Sequence, residues 1–375
     1  MSAIDLSHDV HYHSGKFPPT ELNLEKLYPS LLAATDALAR YDQMLTTMHN
    51  REIFLAPLRN QEAVLSSKME GTISTLDEIL EYDAEYGEED DSPRGETRSD
   101  VVETILYRRT MVAAQKAIAE GRPISSSLVK SMHQQLLSYG RGITKSPGQF
   151  KTEQNYIGES GSRIVSYIPI SPEKLQDGLD AFFHYMEGSG HSALIKTAIS
   201  HVEFEALHPF KDGNGRIGRI LITLMLWKAG SISSPHFYIS RYMEERKGEY
   251  IARMRSVSEN GEWDEWCIFF FEAVAAQAKE NLKITQTIRD LYEELKQTFI
   301  DILASKYALS ALDSIFTTPI FQIPKLSRQS KIPQVTLGNF AKRLLDANLL
   351  ETRQDASGRR PALYAFEPLL KLVRT

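Results

Sequence analysis

A single cysteine in 375 residues excludes an internal disulfide. Cys267 lies in Trp263-Asp-Glu-Trp-Cys-Ile-Phe-Phe-Phe271, a run with the texture of buried helix, so a packed thiol is expected there rather than a nucleophile. No apolar run approaches the ~20 residues that cross a bilayer, so no spanning helix is expected. The first nine residues lack a basic segment followed by an apolar one. No signal peptide is therefore expected, and a reducing cytoplasm is the expected location. There is no excess of positive charge either: 43 Lys and Arg stand against 49 Asp and Glu, a net of −6, which argues against a general polyanion binder. Repeats at solenoid periods are also missing. What is present is ordinary for a globular chain, with 42% hydrophobic and 25% charged residues and enough length for two or three cores.

Three textures follow one another. Residues 24–86 read as helices, with Leu31, Leu32, Ala34, Leu38 and Leu45 mostly at helical spacing and residues 63–79 continuing the pattern. Residues 85–96 are acidic and carry Gly and Pro, a solvated loop. From 99 to 283 the pattern is again helical, except that 154–158 and 164–168 are β-prone runs flanking Glu-Ser-Gly-Ser-Arg, which predicts a hairpin. In the last eighty or so residues, a helix-like run to Phe316 leads through 323–332 into an amphipathic helix over 333–345. Two β-prone runs, 349–352 and 362–366, then flank a basic turn, the pattern of a winged helix-turn-helix.

The densest chemistry lies in His208-Pro-Phe-Lys-Asp-Gly-Asn-Gly-Arg-Ile-Gly-Arg219. Residues 193–207 read as a helix that Pro209 stops at His208. Ile217, Ile220, Leu221, Leu224 and Met225 mark a second, core-facing helix. Gly213, Asn214 and Gly215 thus feed a helix N-terminus, where free N–H groups and the dipole attract an anion and glycine permits close approach. Arg216 and Arg219 add two permanent charges. Asp212 is suited to Mg²⁺ bridging phosphates, and His208, with an ordinary pKa near ~6.5, can take a hydroxyl proton. A dinucleotide fold would need a strand before the glycines, and a P-loop would need Gly-Lys-Ser/Thr; neither is present.

These twelve residues match the Fic (Fido) signature H-P-F-x-[D/E]-G-N-G-R-x-x-R at every specified position. The likeness extends to His201 and Phe204 ahead of the motif, to the hairpin, which resembles the family's target-holding flap, and to residues 238–266, which resemble the helices closing the nucleotide pocket. The resemblance implies a protein adenylyltransferase with ATP as substrate and Mg²⁺ as cofactor. His208 would deprotonate a target hydroxyl, and Asp212 would hold the metal. Gly213, Asn214 and Gly215 would surround the α- and β-phosphates. Arg216 would position phosphate, Arg219 would pair with the γ-phosphate, and Tyr242 and Tyr250 would line the adenine pocket. Ser66-Ser-Lys-Met-Glu70-Gly71 matches the family's inhibitory motif [S/T]-x-x-x-E-[G/N], so the resemblance implies that Glu70 occupies Arg219 and blocks productive ATP. In some members this Glu also supports removal of AMP.

The expected fold is mainly α. It comprises an N-terminal helical domain over 1–98 with the inhibitory motif, a Fic/Fido helical core over 99–285 with its β-hairpin flap, and a winged helix-turn-helix over 286–375. Residues 321–375 hold ten Lys and Arg against four acids, a net of +6, which leaves −12 on the rest of the chain. That asymmetry fits either DNA contact or protein docking. Expected partners are a protein with a hydroxyl side chain, the chain itself as a self-modification target, and a second copy as homodimer, with no membrane. Two alternatives stay open: a nucleotide-responsive DNA-binding regulator, and transfer of another nucleotide-derived phosphoryl group.

Overall fold

The computed structural model describes residues 9–48, 50–86, 98–158 and 165–374, and it is mainly helical. The acidic stretch therefore lies outside the described residues, except that Glu85 and Tyr86 close a helix rather than open a loop. The tip of the expected hairpin also lies outside them.

A short strand, β1 (Val10–His11), precedes α1 (Leu24–Thr46), whose N-terminus is capped by the Asn23 side chain accepting from Lys26 N at 3.1 Å. The helix expected to continue over 63–79 breaks. α2 (Glu52–Met69) ends where Gly71 takes φ +82°, and α3 (Leu76–Tyr86) starts anew. Thr75 and Glu78 form a capping box: Glu78 N donates to Thr75 Oγ1 at 3.2 Å and Thr75 N to Glu78 Oε2 at 2.8 Å. Next come α4 (Ser99–Ala119) and α5 (Ser126–Leu136), then the hairpin β2 (Ile157–Gly158) and β3 (Val165–Ile168). β3 pairs antiparallel with β2 and, on its other edge, parallel with β1, a partner the local sequence pattern does not announce.

The motif helices follow as α6 (Pro172–Gly188), α7 (Ala193–Leu207) and α8 (Asn214–Lys228), then α9 (Ser240–Glu245) and α10 (Lys247–Asn260). α11 (Trp263–Leu303) runs 41 residues, about 60 Å at helical rise. α1 lies along its first half, tied to it by Asn23 N to Asp264 Oδ1 and Lys26 to Glu265. Cys267 is buried among aromatics, as expected, and burial pushes its thiol far up.

α11 links two cores. The larger gathers α1, much of α2, α4 to α8 and the first half of α11. The smaller gathers the rest of α11 with α12 (Ala308–Thr317), β4 (Ile320–Gln322), α13 (Ile323–Ser330), α14 (Gln334–Asp346), β5 (Glu351–Gln354), β6 (Leu363–Ala365) and α15 (Glu367–Val373). β4, β6 and β5 form an antiparallel sheet in that order. Ile53, Phe54, Leu76, Leu80 and Ala84 belong to this second core, so α2 is shared between both, while the other face of α3, Ile79 and Tyr82, packs with Val64 and α4 in a third, small cluster. α2 is buried nearly all round, and most of its buried polar groups are satisfied, the Ser67 hydroxyl being without a partner among the described residues. Glu62 accepts from Tyr107 Oη at 2.8 Å and from Ser240 Oγ at 2.6 Å, and Gln61 Nε2 donates to Val373 O at 2.6 Å. No helix among the described residues is long and apolar enough to cross a membrane.

Candidate active site

α7 ends at His208, which caps it in the left-handed region at φ +46°, Pro209 barring a continuation of the helix. α8 starts after Gly213, at φ +77°, so the two helices are joined by the six residues 208–213. Asn214 staples that turn: Phe210 N donates to its Oδ1 and its Nδ2 donates to Phe210 O, both at 2.8 Å. The Asn214 side chain is thus occupied, and only its backbone is left to meet an anion. Two buried residues outside the motif brace the turn from below. Lys151 Nζ donates to Leu207 O at 3.0 Å, while its backbone N donates to Pro209 O at 2.8 Å. His133 accepts from Gly148 N through Nδ1, so its Nε2 carries the proton and donates to Asp212 O at 3.0 Å, with its ring stacked on Phe210 at 3.8 Å. Neither residue carries a local sequence signature; only the fold brings them here.

His208, Gly215, Arg219, Glu70 and Tyr250 line one cavity of about 210 Å³, with Glu205, Tyr167, Lys247 and Met254. His208 Nδ1 lies 3.3 Å from Glu205 O. A carbonyl only accepts, so Nδ1 holds the proton and Nε2 keeps its lone pair. Burial, aided by the positive charge of Lys151, takes the imidazole down to about 4 rather than the ordinary value near 6.5 expected above. Glu205 has the opposite shift. Burial, with the Glu70 charge nearby, pushes it up to about 8 against the pull of Arg219, and its Oε1 finds no hydrogen-bond partner among the described residues.

Arg219 is buried and fully engaged by the end of α2. Its Nε donates to Ser66 Oγ, one Nη2 contact goes to Ser66 O, and another to Glu70 Oε1, each at 2.8 Å. Burial would raise the Glu70 carboxyl, but the Arg219 guanidinium outweighs this and holds it below the usual carboxylate range. A Cβ at Gly215 would stand 2.3 Å from Glu70 Oε1, so glycine there is what lets the carboxylate lie on the start of α8. Gly71 supplies the left-handed turn behind it.

Arg216 is buried with Nε and Nη1 unpartnered among the described residues; its Nη2 reaches Asp212 Oδ1 at 3.3 Å. A buried guanidinium with free donors is costly unless an anion completes it. Asp212 also accepts from Gly213 N and keeps 36% of its side chain exposed. No group of three or more metal-ligating side chains occurs among the described residues. Tyr250 is buried and shares a 2.8 Å hydrogen bond with His201 Nε2. Tyr242, expected beside it, does not line the cavity. Its ring packs against Phe269 and beneath the Arg246 guanidinium, because α9 turns it away.

Residues 28–116 match the Fic/DOC family N-terminal model and residues 123–226 the Fic/DOC family model. The chain belongs to the Fic/DOC family. A probable protein adenylyltransferase of Aquifex aeolicus is 24% identical over 269 residues, 66% of this chain and 75% of that protein. Protein adenylyltransferase fic-1 of Caenorhabditis elegans is 28% identical over 110 residues, 28% of this chain and only 20% of that protein. Among solved structures, a Fic family protein from Desulfovibrio desulfuricans G20 superposes with TM-score 0.57 at 17% identity, covering 93% of this chain and 98% of that one. A Fic domain containing signaling protein from Bacteroides thetaiotaomicron gives TM-score 0.51 at 15% identity over 68% of this chain and 98% of that one. These two structures share the Fic fold with this chain, including in the first case its C-terminal module.

Proposed function

We propose that this Fic protein is a protein adenylyltransferase that transfers AMP from ATP to a Ser, Thr or Tyr hydroxyl and is held off by Glu70. The observation that carries the reading is one cavity in which a neutral histidine, the start of α8 at Gly215, Arg219 and the Glu70 carboxylate paired with it meet, with Arg216 and its free donors on the same helical turn but outside the cavity lining. The adenylyltransferase names of the relatives in Aquifex and Caenorhabditis support the choice of nucleotide.

His208 Nε2 takes the proton of the target hydroxyl. The oxygen forms a bond to the α-phosphorus, the bond to the bridging oxygen breaks, and pyrophosphate leaves. The backbone at Gly213 to Gly215 and the free donors of Arg216 hold phosphate oxygens. Asp212, one partly exposed carboxylate beside that anion site, fits a hard cation completed by phosphate oxygens and would hold Mg²⁺, which supplies charge neutralisation when bound. Tyr250 lines the base end. Arg219 is the γ-phosphate's partner, and Glu70, supported by Ser66 and Gly71, takes that place in the resting chain. The same Glu70, poised at the cavity, would also orient water for removal of AMP.

The segments 1–98, 99–285 and 286–375 are read as regulatory, catalytic and winged-helix parts. The order α12, β4, α13, α14, β5, β6 in the last part supports the winged-helix reading. A cytoplasmic setting is proposed with it.

Incubation with α-labelled ATP and Mg²⁺ tests the activity. Glu70→Gly is expected to label itself or a lysate protein, while Glu70→Gly with His208→Ala stays blank. Absence of label from Glu70→Gly would overturn the reading.

A further inference from the structure

Three arginines of the C-terminal module, Arg353, Arg360 and Arg374, are already occupied, and the occupant is the helix that follows the inhibitory glutamate. Arg374 holds Asp77 in a two-pronged contact, Nε to Oδ1 at 3.0 Å and Nη2 to Oδ2 at 2.9 Å. Arg353 Nη2 reaches Asp77 Oδ2 at 3.1 Å, and Glu367 sits between the two arginines at 2.6 Å from each. Arg360 pairs with Glu85, and Lys325 Nζ donates to Asp83 O at 2.8 Å. α3 carries five acids in eleven residues: Asp77, Glu78, Glu81, Asp83 and Glu85. Burial, with Asp77 beside it, raises the Glu81 carboxyl, and Arg353 offsets this; Arg98 holds Glu78 and Arg108 holds Asp83, so the module's arginines balance the remaining acids, Asp77, Glu81 and Glu85. Asp77 lies in the first turn of α3, immediately after residues 70–75, and Glu70 stands at the start of that turn.

The same module exposes features with no internal partner. Lys331, Lys342 and Arg359 make no ion pair among the described residues. α14 presents Gln334, Val335, Asn339 and Lys342 to solvent, and its N-terminus has no side-chain cap. Gln, Asn and Lys on an exposed helix after a tight turn, beside a basic hairpin, are what base edges and phosphates accept. An acidic peptide would have use for the arginines but not for this face.

We propose that the C-terminal module is a duplex-DNA surface for which α3 acts as an internal competitor, so that DNA binding and release of Glu70 from Arg219 are linked. Phosphates that take Arg353, Arg360 and Arg374 strip Asp77, Glu81 and Glu85 of their counter-charge and loosen the start of α3, so that residues 71–75 lose their anchor on that side and keep only the α4 side, where Asp100 and Thr104 hold Ile73 and Ser74, while buried α2 stays in place. By reciprocity, whatever loosens the turn tightens DNA binding. The inference rests on the adenylyltransferase reading for its activity readout but not for its binding readout.

The test uses the full chain and a 30-base-pair mixed-sequence duplex, with fluorescence anisotropy at about 50 and 200 mM salt, where phosphate contacts weaken steeply. Wild type is expected to bind, Asp77→Asn to bind several-fold more tightly, and Lys342→Gln with Arg359→Gln to bind at least tenfold more weakly. The duplex is expected to speed amide exchange at residues 71–75 and to raise wild-type labelling at least five-fold, while leaving Glu70→Gly labelling unchanged. No binding at either salt, unchanged exchange at 71–75, or equal affinity of wild type and Asp77→Asn overturns the linkage. If Glu70→Gly fails to label while duplex still speeds exchange at 71–75, the adenylyltransferase reading fails and the linkage stands. Binding by an acidic peptide with no binding by duplex assigns the surface to a protein instead.

Discussion

In the proposed reaction Arg219 decides the state of the site, because the Glu70 carboxylate and the γ-phosphate would compete for the same guanidinium. Glu70 holds it at 2.8 Å and Ser66 holds it twice more, so a γ-phosphate must displace a three-contact arrangement. Replacing Glu70 by Gly is expected to raise transfer by at least about tenfold, the factor that about 1.4 kcal/mol of removed competition would give. Ser66→Ala keeps the carboxylate, so a smaller rise, about two- to five-fold, is expected; quantified label incorporation separates the two. His208 titrates near 4, so it is already neutral at pH 6. The kcat/KM of Glu70→Gly is therefore expected to lack an acidic limb near pH 6.5 and to fall only as pH approaches 4. A limb at 6.5 would show an imidazole as free as one in water. Glu205, near 8 and lining the same cavity, is the group to expect on the alkaline side.

At the scale of elements, the turn between α7 and α8 is held in shape by side chains rather than by its own backbone. Asn214 satisfies both polar groups of Phe210, and Lys151 and His133 satisfy Leu207, Pro209 and Asp212. Asn214→Ala leaves a buried N–H without a partner and should cost about 1–3 kcal/mol of stability, read from denaturant midpoints. His133→Phe keeps the stack on Phe210 but drops the bond to Asp212 O. It also leaves the buried Gly148 N–H without a partner, so it should cost about 1–3 kcal/mol of stability, and it should lower kcat in the Glu70→Gly background several-fold at temperatures where the variant is still fully folded, a loss that destabilisation would not give. The break between α2 and α3 matters equally: Gly71 and the Thr75–Glu78 box place Glu70 at a helix end, where it can reach sideways into the cavity.

Across the whole molecule, α11 carries one core into the other, and α2 contributes to both, with α3 packed on the smaller one. Four histidines are held down by burial in this body, His133 and His201 buried and His208 and His236 half-buried. Burial takes His133, His208 and His236 down to about 4 and His201 to about 3, while the unfolded chain titrates near ~6.5. The unfolded state therefore binds more protons between these values. Stability is complete above pH 6.5 and falls as pH drops toward 4, on the order of 3 kcal/mol for each histidine. Calorimetry should show Tm dropping by more than about 10 °C between pH 7 and pH 5. A flat Tm over that range would mean that these imidazoles are not buried neutral in solution.

The helices of the motif were legible because their signals are local. The apolar stripe from Ile217 to Met225 and Pro209 after His208 place α7, the turn and α8, and the spacing of His, Asp, Gly and Arg within twelve residues announces an anion site. Glu70 was legible only through a family pattern, since nothing in one helix end says which arginine, 149 residues away, it will meet. The rest required the fold. Lys151 and His133 are ordinary residues in sequence and become supports only when their segments pack under the turn. Tyr242 had the right type and the wrong direction. The basic surplus of the C-terminal module was visible as a sum, but its pairing with Asp77, Asp83 and Glu85 was not. Local sequence fixes dihedrals and periodicity over a few residues, whereas the partner of a charge is chosen by packing that joins segments hundreds of residues apart.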